Sequence, residues 1–290
     1  MRRQLIIWTL LTIFIQGNGQ KKEKAEDQRL FDIAFELHED EELDSALIVF
    51  RQFRTQFPNS GLIPRVHYNI GYILNEQGKT DEAKTVLKEI ITSNYNENDP
   101  GGHGLMGSQY ALYKHYSCEQ LADIYMDEKN YIEAEKYVKL FDKKYPYEHF
   151  CGNELKAYQI FKSRSYAKVY DGQGKTDDAI RQLIPHLFYT GLADNDELIK
   201  DLILLLDKKY KGDEIKNELK KCITTLKITE SKKRGETATI ELYGFKLNVD
   251  ENGLFSFSNP DFEANIKLEG REKYLKVIKT NELFKHYKVD

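Results

Sequence analysis

The tripeptide Gly-Lys-Thr occurs twice, at 78–80 and 174–176. It is the end of the loop that holds nucleotide phosphates in P-loop enzymes. In that loop a further glycine stands five residues before the tripeptide, so that backbone amides can wrap around phosphate. Here those positions hold Ile73 and Val169, and a β-branched side chain cannot replace the glycine of a tight turn. The sequence therefore predicts that no nucleotide binds.

The other residues capable of chemistry form no recognised catalytic pattern. No pair among the seven histidines has zinc-hydrolase spacing, and no G-x-S-x-G motif is present. His149 and Cys151 could begin a metal site, but no second pair follows them. We predict no enzymatic activity, no metal and no other cofactor. The alternative is an envelope enzyme acting on glycan, with its site near the glycine-rich loop at 101–107.

Three cysteines, at positions 118, 151 and 222, allow at most one internal disulfide. Apolar packing must therefore hold the fold. Cys118 has two interpretations at this point, as a small core residue or as the partner of Cys151 in a disulfide.

The Gly-Lys-Thr motifs lie inside a longer duplication, EQGKTDEA at 76–83 and GQGKTDDA at 172–179. Alignment on the final alanine reveals four copies, with a second small residue twelve positions earlier. Apolar residues recur around both small positions at the spacing of two helices joined by a turn. Each glycine is expected in that turn, with Thr80 and Thr176 capping the second helix. The paired small positions are Ala34 and Ala46, Gly71 and Ala83, Ala122 and Ala134, and Ala167 and Ala179.

This pattern resembles the tetratricopeptide repeat, a helix-turn-helix unit of 34 residues. The resemblance implies a mainly α protein, an α-solenoid of stacked helix pairs over 27–228, with a small C-terminal α/β segment. The repeats are expected at 27–60, 64–97, 115–148 and 160–193, followed by a capping helix pair at 196–226. First helices extended at their start, and phrases such as LFDKKYPYE, are similar to two cell-envelope families, the Tol-Pal coordinator and the outer-membrane assembly lipoprotein.

The ends of the chain differ from the repeats. Residues 1–19 have a basic start, an apolar core and small residues at the end, which predicts a signal peptide cleaved before Gln20. An apolar core of about eleven residues would rise only about 16 Å as a helix, so we predict export to the periplasm or medium with no membrane span in the mature chain. At 236–290 we expect a β-hairpin and a closing helix, after a polar linker around 230–235. Alternation changes parity at Tyr243 and Gly244, which predicts a bulged strand.

The formal net charge is −4, with both signs mixed along the chain, so no nucleic-acid partner is predicted. Stacked repeats present one face of each first helix as a concave surface, and here that face is rich in aromatic residues, Arg and Asn, as in protein-binding surfaces. We therefore predict an exported scaffold that binds a protein or peptide, with a structural subunit of an envelope complex as another alternative. The predicted groove does not match the carboxylate clamp of chaperone-binding repeats, since only Asn69 fits. It consists of Phe31, Phe35, His38, Arg65, Tyr68, Asn69, Tyr72, Tyr116, Glu119, Gln120, Asp123, Phe161, Arg164 and Lys168.

Overall fold

The structure is a computed structural model that describes residues 26–97, 111–149, 151–189, 195–231, 235–250 and 268–289. The predicted signal peptide at 1–19 and the glycine-rich loop at 101–107 lie outside these residues. The chain divides into two compact units, one up to Val86 and one from Leu87 onward. The division falls inside a helix, and each unit is described by itself.

The first unit consists of helices whose apolar faces meet in one small core. Its helices are α1 (Glu26–Glu39), α2 (Leu43–Gln56), α3 (Ile63–Glu76) and the first part of α4 (Thr80–Thr92). Helix α2 packs against both α1 and α3. The small residues Ala34 and Ala46 are completely buried, which allows α1 and α2 to approach closely. Around them lie Phe50, Phe53, Val66, Ile70 and Leu74.

In each of the four repeats, the turn between the two helices contains a residue with positive φ. That residue lies five positions before the small alanine of the second helix. These residues are Glu41 (62°), Gly78 (71°), Lys129 (57°) and Gly174 (78°). At all four turns the next residue donates its backbone N–H to a carbonyl five residues earlier, at 2.8–2.9 Å, as in a Schellman motif. The glycine turns are confirmed, and the Gly-Lys-Thr motif is the end of one helix and the start of the next.

The predicted threonine caps are wrong. Thr80 and Thr176 are the first residues of their helices, so their hydroxyls lie one position too late to accept from the helix amides. The Thr80 hydroxyl instead donates to the Gly78 carbonyl, and that of Thr176 to the Asp171 carboxylate. A side-chain cap is present in the third pair, where Asn130 accepts from the Glu133 amide.

The second unit continues with further helices, of which the first four each pack against the next along the chain. They are α5 (Tyr113–Asp127), α6 (Tyr131–Lys139), α7 (Gly152–Gly172), α8 (Thr176–Leu183), α9 (Asp196–Lys209) and α10 (Gly212–Thr224). A π-helical turn, Leu140–Lys144, extends α6, and a 3-10 turn, Ile184–His186, extends α8. The predicted mainly α fold of stacked helix pairs is confirmed, as is the early start of the fourth first helix.

The C-terminal segment forms a three-stranded antiparallel sheet in the order β1 (Lys227–Ser231), β2 (Gly235–Leu242) and β3 (Phe245–Val249). The predicted bulge is wrong, because Tyr243 and Gly244 form a two-residue hairpin turn with φ of 48° and 83°. The predicted linker is also wrong, since its start belongs to β1. The expected partner strand after position 250 lies outside the described residues.

The sheet and the closing helices share one core with the last repeat of this unit. Helices α11 (Gly270–Thr280) and α12 (Glu282–His286) follow the sheet. Buried residues from α8, α9, α10, β2 and both closing helices belong to one hydrophobic cluster, for example Leu183, Leu202, Leu219, Ile240 and Phe284. The sheet and the closing helices thus belong to the same compact unit as the last helix pairs.

Candidate partner-binding faces

In the first unit, helices α1 and α3 carry a set of neighbouring rings that we call the aromatic face: Phe35, His38, Tyr68 and Tyr72. Ring centroids are 6.4 Å apart for Phe35 and His38, 5.7 Å for His38 and Tyr72, and 6.4 Å for Tyr68 and Tyr72. Tyr68 and Tyr72 are neighbours because residues four apart share one side of a helix. Tyr72 is 38% exposed, and the other three are half-buried.

Polar groups surround this aromatic face. The His38 Nε2 lies 2.9 Å from the Glu76 Oε2, and the Arg65 guanidinium lies 5.7 Å from the Phe35 ring centroid. Burial, together with the charge of Glu76 and a hydrogen bond to it, raises the pKa of Tyr72. The Tyr72 hydroxyl therefore keeps its proton and donates a hydrogen bond to Glu76. The Asn69 Nδ2 is buried and has no hydrogen-bond partner within the described part of the chain, which is uncommon for a donor.

One predicted position in α1 changes role. Phe31 was expected in the groove but is 2% exposed, with its ring 5.7 Å from that of Phe50 in the core. It lies one turn before Ala34 and shares the side of α1 that faces α2. Ile33, the apolar residue directly before the small residue Ala34, is 50% exposed.

In the second unit, the predicted residues lie on the first helices α5 and α7. Phe161 is 38% exposed, and its ring lies 5.9 Å from Tyr158 and 6.1 Å from Phe141. Tyr116 and Gln120 are half-buried, whereas Lys168 is exposed. This unit therefore has an accessible aromatic ring among polar side chains.

Ion pairs between successive first helices determine the charge of this second face. The Arg164 Nε lies 2.6 Å from the Asp201 Oδ2, and its Nη2 lies 3.7 Å from Glu197 on the same helix, α9. The sequence predicted that Arg164 contacts a partner. In the structure its guanidinium instead forms ion pairs within the protein. Because Glu119 and Asp123 add two acids from α5, the face carries more acid than base.

Asp123 combines an exposed position with an unfavourable setting for its charge. Burial of its carboxylate, helped by the neighbouring acids Glu119 and Asp127, raises the pKa to about 6, and Lys168 opposes the rise. More than a third of the residue is nevertheless exposed, and water around a carboxylate moderates such a rise.

A buried aromatic cluster beneath Tyr116 could not be assigned from the sequence. His115 is fully buried, with its Nδ1 2.6 Å from the Tyr145 carbonyl and its Nε2 2.8 Å from Glu119. Tyr147 stacks on Tyr158 with ring centroids 4.6 Å apart. The cluster connects three segments: helix α5, helix α7 and the loop that follows α6. It therefore fixes the positions of α5 and α7, the two helices that carry the predicted binding residues of this unit. The one sequence signal for this cluster was the extended start of the first helix of the fourth repeat, which contains Tyr158.

Two of the three cysteines, Cys118 and Cys222, are buried. All three cysteines are free, so the predicted alternative of a disulfide between Cys118 and Cys151 is not realised. Burial raises the pKa of Cys118 and of Cys222 to about 12, which keeps both as unreactive thiols. Across the described ranges no three His, Cys, Asp or Glu residues form a metal-binding group. In those ranges, too, no helix is both long and apolar enough to cross a bilayer.

The described helices define a protein of repeated helix pairs, with buried small residues where the helices of each pair cross. Residues 64–97 match the family model of the tetratricopeptide repeat. That segment contains α3 and α4 and has the bounds expected for the second repeat. The chain therefore carries at least one segment of tetratricopeptide type.

Solved structures are similar to this chain at low identity. One is described as "MamA RS-1 ArsTM double mutant", with 13% identity and a TM-score of 0.47, covering 66% of this chain and 89% of that one. Another is a Podosopora anserina putative kinesin light chain with nearly identical TPR-like repeats, at 13% identity and a TM-score of 0.43, covering 62% and 85%. A comparison with curated proteins finds no match.

Proposed function

We propose that this protein is an exported, non-enzymatic scaffold that binds a protein or peptide of the cell envelope. The observation that carries the proposal is the aromatic face of the first unit. Four neighbouring rings there are partly open to solvent beside Arg65 and Asn69. Tetratricopeptide repeats generally serve in protein–protein interaction, and aromatic residues with Arg are enriched where proteins meet.

The chemistry of the aromatic face fits a peptide backbone with one or more apolar side chains. Tyr68 and Tyr72 provide flat apolar surface with hydroxyl groups at the edge, so they can cover side chains and still form hydrogen bonds. The Asn69 Nδ2, which has no partner among the described residues, would gain an acceptor from a peptide carbonyl. The face thus offers both apolar contact and backbone recognition.

Export and the absence of catalysis belong to the same proposal. The leader-like start at 1–19 supports export, and the resemblance of the repeats to cell-envelope proteins supports that compartment. The high pKa of the two buried thiols and the absence of a metal-binding group in the described ranges are consistent with a scaffold.

The experiment is affinity capture from an envelope fraction, followed by mass spectrometry and by binding measurements with the protein so identified. The test variant combines Tyr68→Ala with Tyr72→Ala. The matched control combines Ile48→Ala with Leu204→Ala, which truncates two exposed apolar side chains on α2 and α9. Truncation of an interface aromatic typically costs about 2 kcal/mol or more, or roughly thirtyfold in affinity.

We expect the control to retain the partner and the tyrosine variant to lose it, with both variants keeping the helical circular dichroism signal. Equal capture by the tyrosine variant and the unmodified protein would show that the aromatic face is not the binding surface. Turnover of a glycan by the purified protein would instead favour the enzyme alternative.

A further inference from the structure

The second unit has a groove on the side of its second helices, separate from the faces described above. It has a volume of about 870 Å³ and is lined by residues of α6, its π-helical extension, α7 and α8. One wall is a single stripe of α6 and its extension, formed by Ile132, Lys136, Lys139 and Lys143. Spacings of three and four residues place these side chains on one side of the helix. We call this the lysine groove.

The floor of the lysine groove is aromatic. Tyr166 and Tyr170, one turn apart on α7, stack with ring centroids 5.8 Å apart. On the α6 wall Ile132 is 78% exposed, the highest value among the large apolar side chains in the described part of the chain. The groove therefore combines apolar contact surface with a positively charged wall.

The charge balance of the lining is positive. Its charged side chains are Lys136, Lys139, Lys143 and Lys144 against Glu135 and Asp142. Both acids are already neutralised from within the protein. The Glu135 Oε1 lies 2.7 Å from the Lys139 Nζ, and Asp142 lies 2.8 Å from Lys162 and 2.9 Å from Lys143.

These ion pairs persist at neutral pH. Hydrogen bonds from Gln173 and Lys139 lower the pKa of Glu135, and those from Lys162 and Lys143 lower the pKa of Asp142 against the effect of burial. The Tyr166 hydroxyl also donates to Asp142, at 3.0 Å. Because both acids stay ionised and paired, they hold the floor and the wall together. The four lysines of the lining still outnumber its two acids.

We propose that the lysine groove binds an acidic peptide segment whose apolar side chain packs between Ile132 and the tyrosine pair. Carboxylates on either side of that side chain would then meet Lys136 and Lys143. These lysines are 57% and 76% exposed, and each also pairs with one acid of the protein, Glu133 at 3.1 Å and Asp142 at 2.9 Å. Complementary charge of this kind gives specificity and speeds association. The site is independent of the aromatic face, so either can fail without the other.

The test uses fluorescence anisotropy with a fluorescein-labelled glutamate-rich peptide that has leucine and phenylalanine at its centre. The comparison peptide has glutamine in place of each glutamate. The test variant combines Lys136→Gln with Lys143→Gln. The control combines Lys220→Gln with Lys285→Gln, two exposed lysines outside the groove, and therefore removes the same charge from the protein.

We expect the glutamate peptide to bind and the glutamine peptide to bind at least roughly tenfold more weakly, since the lysines recognise carboxylates. The test variant should lose about tenfold in affinity and the control less than about twofold. Ile132→Ser, which changes a largely exposed side chain and so leaves the fold intact, should weaken binding several-fold. The Tyr68→Ala and Tyr72→Ala variant should bind the peptide normally.

Three results would overturn the proposal: no binding of the glutamate peptide, equal binding of the glutamine peptide, or equal loss in the control variant. Vesicles of phosphatidylglycerol and phosphatidylcholine provide a further arm. If they bind the unmodified protein and not the Lys136→Gln and Lys143→Gln variant, while the peptide does not bind, the groove serves a lipid surface and the proposal is wrong.

Discussion

The four inter-helix turns share a backbone position with positive φ, but two of them have glycine there and two do not. Replacing the glycines should lower the stability, whereas introducing glycine at the other two turns should raise it. Gly78 and Gly174 have positive φ, and a Cβ built at either would meet no atom within 4 Å. Glu41 and Lys129 occupy the equivalent positions with φ of 62° and 57°. Since there is no steric clash to consider at the glycines, the effect of a substitution there comes from the backbone conformation alone.

The magnitude follows from the cost of the left-handed conformation. An L-residue pays roughly 1–2 kcal/mol there, and glycine pays almost nothing. Glycine loses more chain entropy on folding, which returns about 0.4–1 kcal/mol to any replacement. We expect Gly174→Ala to destabilise by about 1 kcal/mol and Lys129→Gly to stabilise by up to about 1 kcal/mol. For a unit of this size, that corresponds to a shift of roughly 2–4 °C in Tm.

The assay is urea and thermal unfolding followed by circular dichroism at pH 7. Gly174→Asn is the matched control, because asparagine tolerates positive φ better than alanine and should cost less. In the first unit, Gly78→Ala and Glu41→Gly should repeat the pattern. Loss of stability in both Lys129→Gly and Glu41→Gly would refute the reasoning, because the relief of backbone strain is expected to exceed the chain entropy that glycine loses on folding.

Three further predictions concern other parts of the chain. Gly172→Ala should destabilise by about 1–3 kcal/mol in urea unfolding, because a Cβ there would lie 2.2 Å from the Tyr131 ring; a neutral effect would show that the ring moves aside freely. The raised pKa of Asp123 means that ionisation opposes folding, so stability is lost as pH rises through about 6. Asp123→Asn should therefore raise Tm at pH 7.5 and have little effect near pH 4, and an equal effect at both would contradict the raised pKa. Mass spectrometry of the protein from its source should find an N-terminus at Gln20, whereas an intact Met1 would exclude cleavage.

The sequence was sufficient to predict the helix pairs, because small residues and apolar spacing report directly on close helix contact. It also located two of the four turns, since glycine marks positive φ. The turns at Glu41 and Lys129 contain no such residue, and only the backbone reveals them. The hairpin at Tyr243 and Gly244 was misjudged because a bulge and a two-residue turn both shift the alternation by one, and Tyr-Gly is not among the dipeptides preferred in that turn.

The candidate site was less predictable because it depends on contacts between distant segments. Periodicity identified the aromatic face, but it could not show that Phe31 turns into the core or that Asp201 holds Arg164. The lysine groove had a sequence signal in the spacing of Lys136, Lys139 and Lys143 along one helix face. Its aromatic floor comes from α7, and that pairing required the fold.

The central claim is that the aromatic face of the first unit binds the partner, and the most direct measurement is the affinity of the captured partner for the Tyr68→Ala and Tyr72→Ala variant. The account predicts at least about a thirtyfold loss of affinity with nearly unchanged helicity and Tm, because these rings lie at the surface. Unchanged affinity would contradict the claim. A large drop in Tm would also contradict it, because it would show that the two tyrosines belong to the core.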